Sequence, residues 1–151
     1  MSVPDRFRAF RIHANPHRAA LEHVSLNDLN SGEVTIRVEW SGVNYKDALA
    51  GTGQGKILRQ FPLVGGIDVA GHVVESRDPR FREGDAVLVT GSGLSETRDG
   101  GYSEYARLEA DWVVVYVDAP ARQHRPRAAQ ERVLKTLALA ARLGAETATI
   151  P

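Results

Sequence analysis

The sequence of 151 residues contains no cysteine. Disulfides, thiolate zinc sites and a cysteine nucleophile are therefore excluded. No charge of one sign predominates, because nineteen acidic and nineteen basic side chains give a formal net charge of zero. Nucleic acids and anionic membranes require a basic surface, so neither is expected as the main partner. Long apolar runs and a signal-peptide pattern at the N-terminus are also missing, which predicts a cytoplasmic protein.

Both common glycine-rich phosphate-binding patterns are absent as well. A Walker loop ending at Gly55-Lys56 would need glycine where Ala50 stands, and serine or threonine where Ile57 follows the lysine. The stretch 90–94, "TGSGL", has no third glycine in register for a dinucleotide fingerprint. Both stretches are therefore predicted to be ordinary loops.

What is present is typical of a mainly β domain from Phe7 to about Asp111. Short alternating or β-branched runs recur between turn signals, namely "FRAFRIH", "EVTIRVEW", "DVAGHVVES", "DAVLVTG" and "YSEYARLEADWVVV". In the second run, Val34, Ile36, Val38 and Trp40 alternate with polar residues, which predicts a half-buried strand. The run "NYKDALAG" predicts one short helix, with Asn44 as the N-cap and Gly51 just past the end.

The pattern changes after Trp112, and we divide the chain into residues 1–112 and 113–151. "WVVVYV" is the kind of apolar run found in strands buried on both faces of a parallel sheet. "AAQERVLKTLALAARLGAE" is a strong helical pattern, with one apolar stripe formed by Val133, Leu137, Ala140 and Ala141. Together with "ETATIP" it predicts a strand-helix-strand, βαβ-like tail.

Five ordered motifs carry a family resemblance: "NYKD", "GKI", "FPLV" followed by "GIDVAG", "DPRF" followed by "GDAVLVTG", and "GGYSEYAR". They resemble the catalytic, GroES-like domain of the medium-chain dehydrogenase/reductase superfamily, in its zinc-free quinone oxidoreductase and acrylyl-CoA reductase branch. The resemblance spans roughly residues 7–114. It implies a GroES-like β-barrel domain and NADPH-dependent reduction of a small-molecule enone, enoyl-CoA or quinone. A hydride would be added at the β-carbon and a proton at the α-carbon.

The resemblance also implies the site. Tyr45 would be catalytic and lie against the nicotinamide of NADPH; Asn44 and Asp47 would be catalytic, and Lys46 would contact the cofactor. From the residues alone, Tyr45 could be half-buried packing, and Asp47 could be part of a capped helical turn or a proton relay. Asp68 could set the charge of the cleft or bond nearby backbone.

No metal is expected. The zinc-dependent relatives have cysteine where this chain has Asn44, and no thiolate exists elsewhere. His13, His17 and His23 lie in a turn-rich stretch without ligand spacing, and His72 is expected to be structural. The family's proline before the glycine of "GID" is Gly65 here, which loosens a turn without removing a chemical group.

The last forty or so residues resemble a different family, the universal-stress-protein-like module of potassium-responsive sensor histidine kinases. The stretch "ADWVV" fits the sequence patterns of both families, so the chain resembles a composite of the two. Three hypotheses stay open: an oxidoreductase catalytic portion, an interaction module or sensor-kinase-type fragment acting through the tail, and a composite that folds without catalysing. The sequence has no Gly-x-Gly-x-x-Gly unit, so little turnover is expected, together with self-association through the tail.

Overall fold

The computed structural model describes residues 2–116. Two antiparallel sheets dominate this part of the chain, which also contains one short α-helix. The strands are β1 (Phe7–His13), β2 (Arg18–Val24), β3 (Val34–Trp40), β4 (Leu63–Val64), β5 (Asp68–Ser76), β6 (Ala86–Thr90), β7 (Tyr105–Leu108) and β8 (Val114–Val115), and the helix is α1 (Tyr45–Thr52). Short 3-10 turns occupy Leu26–Asp28 and Ala110–Trp112. The mainly β architecture predicted from the sequence is confirmed.

The two sheets have the orders β2-β1-β4 and β7-β3-β5-β6-β8. Each has its own apolar core, one centred on Ile36, Val73 and Val89, the other on Phe7, Ile12 and Val64. The predicted βαβ-like tail lies outside the described residues from position 117 onward. Within residues 2–116, no helix is long and apolar enough to cross a membrane.

Strand β3 lies between β7 and β5 in the five-stranded sheet and is buried on both faces for most of its length. Val34, Ile36 and Val38 face the core as expected, but Thr35 is 4% and Glu39 8% exposed. Trp40, predicted to face the core, is 43% exposed. The reason is a register shift against β5 between Val38 and Trp40, which turns the end of the strand over. The prediction of a half-buried strand was therefore wrong for β3.

A short crossing segment ties the two sheets together. The Phe10 N–H donates to the Tyr102 carbonyl at 2.7 Å, and the Glu104 N–H donates to the Arg8 carbonyl at 3.0 Å. The carboxylate of Glu104 accepts from the Arg8 backbone N–H at 2.8 Å and from its guanidinium at 2.7 Å. Residues 102–104 thus pair with β1, and the same stretch continues into β7 beside β3.

Gly65 lies at this junction. Its N–H donates to the Phe10 carbonyl at 3.0 Å, a bond that proline could not make. A Cβ at this position would lie 3.1 Å from the Tyr102 ring. The departure from the family pattern therefore adds a donor at a crowded point, and it removes no chemical group.

The apolar run after Trp112 does not form a buried parallel strand. Val114 and Val115 pair antiparallel with Leu88 and Val87 at the edge of the five-stranded sheet. They are 56% and 43% exposed. The prediction of a strand buried on both faces was wrong for residues 112–116. Among residues 2–116, β8 has a partner strand on one side only, and Trp112 belongs to a 3-10 turn.

Helix α1 begins as predicted and ends later than predicted. Asn44 is the N-cap, with extended backbone angles. Gly51 lies inside the helix, and Gly53 is the C-cap residue, with a left-handed φ of 73°. A Cβ on Gly53 would lie 2.8 Å from the His17 ring, so both backbone conformation and packing require glycine here.

Candidate functional site

The candidate site is the junction between the end of β3 and the start of α1, residues 41–47. The loop leaves the sheet at Ser41 and exposes Val43 to 58%. Asn44 is also exposed, and Tyr45, the first residue of the helix, is 80% exposed. Half-buried packing, the alternative considered for Tyr45 from the sequence, does not describe it. An amide and a phenol are therefore presented side by side to any molecule that approaches this loop.

Asp47 lies beneath them and is 7% exposed. Its Oδ2 atom accepts a hydrogen bond from the Asn44 backbone N–H at 2.9 Å. The carboxylate also stands at the first turn of the helix, where the exposed N–H groups favour a negative charge. This contact is the capped first turn that the sequence allowed for Asp47.

Both backbone polar groups of Gly42 are hydrogen-bonded to side chains. Its N–H donates to Asp68 Oδ1 at 2.5 Å, and its carbonyl accepts from the Tyr102 hydroxyl at 2.8 Å. The neighbouring Ser41 hydroxyl donates to the Asp68 carbonyl at 2.7 Å. Asp68 thus bonds backbone, which is one of the two roles considered for it. The backbone that presents Asn44 and Tyr45 is fixed by groups outside the loop itself.

Tyr102 was not identified as a site residue from the sequence. It is 3% exposed, and its ring meets the Phe10 ring edge-on with centroids 6.3 Å apart. Burial raises the pKa of its hydroxyl well above the usual value, and the charges of Asp47 and Asp68 raise it further. The phenol therefore remains a protonated donor to Gly42. Only the glycines before it, in "GGY", hint at a crowded position.

Lys46 points away from the exposed pair and forms an ion pair with Glu96. Glu96 was not singled out from the sequence, since it lies in a loop fifty residues further along the chain. Successive helical residues are rotated by about 100°, so Tyr45, Lys46 and Asp47 face three different directions. The structure therefore brings Asn44 and Tyr45 together at the surface, with Asp47 behind them and Lys46 to one side.

His13, His17 and His72 each contact a different residue and do not share a site. His13 Nε2 lies 2.9 Å from Glu22 Oε1, and His17 Nε2 lies 3.0 Å from the Gly51 carbonyl. Among residues 2–116, no group of three or more histidine, aspartate or glutamate side chains is arranged to hold a metal ion. His72 contacts Glu39 on the sheet surface at 3.0 Å.

A cavity of about 310 Å³ lies at the opposite end of α1 from Tyr45. His17, Gly53, Lys56 and Phe61 are among the residues that line it. Gly53 and Gly55 of "GTGQGK" border this cavity. Gly51 and Thr52 belong to α1, so the prediction of a loop for this whole stretch was wrong at its start.

Part of a nicotinamide cofactor would fit the donors present. The Asn44 amide and the Tyr45 hydroxyl are exposed hydrogen-bonding groups suited to an amide-bearing ring. A diphosphate has no comparable site, since residues 2–116 contain no glycine-loop turn from a strand into a helix. The described residues thus provide for one end of such a cofactor only.

Two antiparallel sheets joined by a crossing strand, with a loop-helix junction on their rim, define the GroES-like class of dehydrogenase domains. Comparison with known proteins gives the same result. Residues 30–119 match the alcohol dehydrogenase GroES-like domain, and the chain belongs to this family.

The names of two individual relatives state an activity as well as a family. The probable acrylyl-CoA reductase AcuI of Escherichia coli is 51% identical over 96 residues, which cover 64% of this chain and 30% of the relative. The putative quinone oxidoreductase YhfP of Bacillus subtilis is 54% identical over 91 residues, which cover 60% of this chain and 28% of the relative.

Solved structures of related oxidoreductases contain the same fold. The yhdH oxidoreductase of Salmonella enterica in complex with NADP has a TM-score of 0.69 at 46% identity, over 72% of this chain and 34% of that one. Bacillus subtilis yhfP with NAD bound has a TM-score of 0.70 at 46% identity, over 74% of this chain and 35% of that one. The chain therefore spans about a third of the length of its relatives. The resemblance of its last residues to a stress-protein module stays a prediction.

Proposed function

We propose that this chain supplies the substrate-side part of a zinc-free, NADPH-dependent reductase that acts on an enone, an enoyl-CoA such as acrylyl-CoA, or a quinone. The observation that carries the proposal is the junction at residues 41–47. There an exposed amide and an exposed phenol stand on a backbone fixed by Asp47, Asp68 and Tyr102. Relatives named as acrylyl-CoA reductase and quinone oxidoreductase support the substrate class.

The exposed pair would act on the substrate carbonyl. The Asn44 amide and the Tyr45 hydroxyl can donate hydrogen bonds to a carbonyl oxygen whose negative charge increases during reduction. When bound, NADPH supplies the hydride to the carbon β to that carbonyl. Tyr45 would contact the nicotinamide end of the cofactor. Asp47 would act as a positioning residue. Lys46 would bind an anionic group only after breaking its ion pair with Glu96.

Turnover by this chain alone is expected to be low. Contacts with the remote parts of a cofactor contribute much of the binding energy that orients its reactive ring. The sequence has no Gly-x-Gly-x-x-Gly pattern to hold the diphosphate. The site would therefore act fully only beside a nucleotide-binding unit.

Titration of the purified 151-residue chain with NADPH, followed by nucleotide fluorescence, tests the role of Tyr45. We expect weak binding that Tyr45→Phe weakens by on the order of tenfold, since one donor to the ring is lost. Tyr116→Phe is the matched control, because Tyr116 is also exposed, at 53%, and lies directly after β8 rather than on α1. Equal affinity in the chain and in Tyr45→Phe would contradict the assignment of Tyr45.

A second candidate function is an interaction module acting through the tail. The observation that favours it is the exposed edge strand β8, where Val114 and Val115 leave one side of their backbone unpaired within the described residues. Such an edge supports the expected self-association of two copies. The cytoplasmic location expected from the sequence stays a prediction.

A further inference from the structure

The cavity of about 310 Å³ at the C-terminal end of α1 has the features of a small binding site. Its volume falls at the lower end of the ~300–1,000 Å³ that ligand pockets occupy, which suits one ring system with a substituent. Among the residues that line it, Ala50 and Leu58 are buried, whereas Phe61 is 46% exposed. The cavity therefore offers an apolar wall and an aromatic side chain that a ligand can contact.

Glycine at position 53 leaves one nitrogen of the His17 ring uncovered in the cavity wall. A Cβ on Gly53 would lie 2.9 Å from His17 Nδ1, so a side chain there would cover this atom. His17 Nε2 lies 3.0 Å from the Gly51 carbonyl oxygen, which can only accept, so Nε2 carries the hydrogen. In the neutral ring Nδ1 is then an acceptor, and the amino group of a purine is a matching donor.

The charged side chain at the cavity is a lysine. Lys56 is exposed, and within residues 2–116 no aspartate or glutamate lines the cavity. Unlike Lys46, which pairs with Glu96, Lys56 forms no ion pair within the described part of the chain. The free carbonyls at the end of α1 carry partial negative charge, so an anion would be bound by Lys56 and not by the helix. The matching ligand is an aromatic ring with an amino group and a phosphate nearby.

A CoA thioester carries these groups at the end that is remote from its reactive carbonyl. Helix α1 has eight residues and advances by ~1.5 Å per residue, so its two ends are about 12 Å apart. An extended chain advances by ~1.2 Å per bond, so the roughly 17 bonds between the thioester sulphur and the adenosine span up to about 20 Å. The acyl group can therefore lie against Asn44 and Tyr45 while the adenine occupies the cavity. A simple quinone has no such second part.

We propose that this cavity binds the adenine ring of a CoA thioester and that Lys56 binds the 3′-phosphate beside it. The proposal rests on the proposed reductase function, and it selects the enoyl-CoA from the three substrate classes named there. Phe61 would contact the ring, and His17 Nδ1 would accept from its amino group. NADPH also carries a phosphorylated adenosine, so the shared chemistry is that of an adenosine phosphate, and the experiment separates the two sources.

Calorimetric titration of the purified 151-residue chain with CoA and with dephospho-CoA, which lacks the 3′-phosphate, tests the role of Lys56. We expect CoA to bind roughly fivefold more tightly or better, because only CoA makes the charge-assisted contact. Lys56→Gln should remove this difference by weakening CoA alone, so that both ligands bind the variant equally. Arg82→Gln is the matched control, since Arg82 is an exposed cation in the turn between β5 and β6 and its loss should affect neither ligand.

Phe61→Ser tests the ring contact independently of charge. It should weaken CoA and dephospho-CoA alike, on the order of tenfold, the usual effect of losing an aromatic contact with a base. Val114→Ser is its control, because that apolar side chain is 56% exposed on the other sheet and should matter to neither ligand. Lys56→Gln remains decisive if circular dichroism shows that Phe61→Ser is unfolded, since Lys56 is exposed and outside the core.

Failure of this site and failure of the proposed function give different results. CoA has no acyl group, so Tyr45→Phe should leave its affinity unchanged. If CoA binds as expected while Tyr45→Phe leaves NADPH affinity unaltered, the assignment of Tyr45 fails and the adenosine site stands. No binding of CoA at millimolar concentration, or an affinity that neither Lys56→Gln nor Phe61→Ser changes, would overturn the proposal. So would displacement of CoA by NADPH that requires Lys56, since the cavity would then bind the cofactor.

Discussion

Replacing Gly71 by alanine is expected to destabilise the domain by about 3 kcal/mol or more, the upper range for an overpacked core position. Gly71 lies on β5 opposite Val38, at the point where β3 shifts its register. A Cβ there would overlap the Arg37 carbonyl oxygen and crowd the Glu39 nitrogen. Both are backbone atoms of a central strand, so they cannot move aside as a flexible side chain would. The midpoint of urea unfolding, followed by circular dichroism, measures the effect.

Gly51→Ala is the matched control for this substitution. The nearest atoms to a new Cβ there belong to the Phe10 ring, at 3.6 and 3.7 Å, which are ordinary contact distances. Gly51 is helical, and alanine is favoured over glycine in helices by up to ~1 kcal/mol. The control is therefore expected to be neutral or stabilising. A Gly71→Ala midpoint equal to that of the unmodified chain would contradict the close approach of β3 and β5.

Asp99→Asn is expected to cost about 2–3 kcal/mol, the range for losing hydrogen bonds to a buried charged group. Asp99 is 5% exposed, and its two oxygens accept the backbone N–H groups of Asn30 at 2.7 Å and Val64 at 2.8 Å. The asparagine side chain has one acceptor oxygen, which can accept from one of the two N–H groups. Its NH2 group would face the other N–H group, so two donors would oppose each other. The loop before β3 and strand β4 would lose their shared anchor. Urea unfolding at neutral pH measures this loss.

Asp111→Asn is the control for Asp99→Asn. The Asp111 side chain is 83% exposed and pairs with Arg80 at 2.7 Å. Exposed ion pairs contribute roughly 0–1 kcal/mol, so the control should unfold within that range of the unmodified chain. Equal effects of the two substitutions would show that Asp99 does not anchor buried backbone.

The Asp99 carboxylate should also make the free energy of unfolding depend on pH. Burial raises the pKa of Asp99 above its ordinary value of 3.8, although the N–H groups of Val64 and Asn30 and the charges of Arg11 and Arg107 oppose the shift. The folded state therefore holds this proton more tightly than the unfolded state does. Its contribution is largest below pH 3.8 and is lost as the pH rises through the folded pKa. This component should be absent from the pH profile of Asp99→Asn.

The sequence predicted those parts of the fold that local pattern controls. Strands β1 and β5 have the bounds of the runs "FRAFRIH" and "DVAGHVVES", because alternating residues between turn signals identify both ends. The helix end was missed for a local reason. Gly51, Gly53 and Gly55 all suit a C-cap, and Gly53 is the one that adopts a left-handed φ and lies against the His17 ring. The run at 112–116 was missed because its burial depends on which strand lies beside it.

The site was predicted only where its residues are neighbours in sequence. Asn44 and Asp47 were placed at the helix start because the capping pattern is local. Tyr102 contacts a residue sixty positions away and the Asp68 contact spans twenty-six, so no local pattern contains either. The pairing of Lys46 with Glu96 likewise depends on tertiary structure. The exposure of Tyr45, on which the proposed function rests, likewise depends on tertiary packing.

We propose the junction at residues 41–47 as the substrate-side part of a reductase site. Its most direct test is a hybrid in which residues 1–116 replace the corresponding N-terminal part of the Escherichia coli relative, assayed for NADPH oxidation with acrylyl-CoA. We predict turnover by the hybrid and little by the original chain. Tyr45→Phe in the hybrid should lower kcat/KM by on the order of tenfold or more. A folded hybrid without turnover, or one whose activity Tyr45→Phe leaves unchanged, would contradict the account.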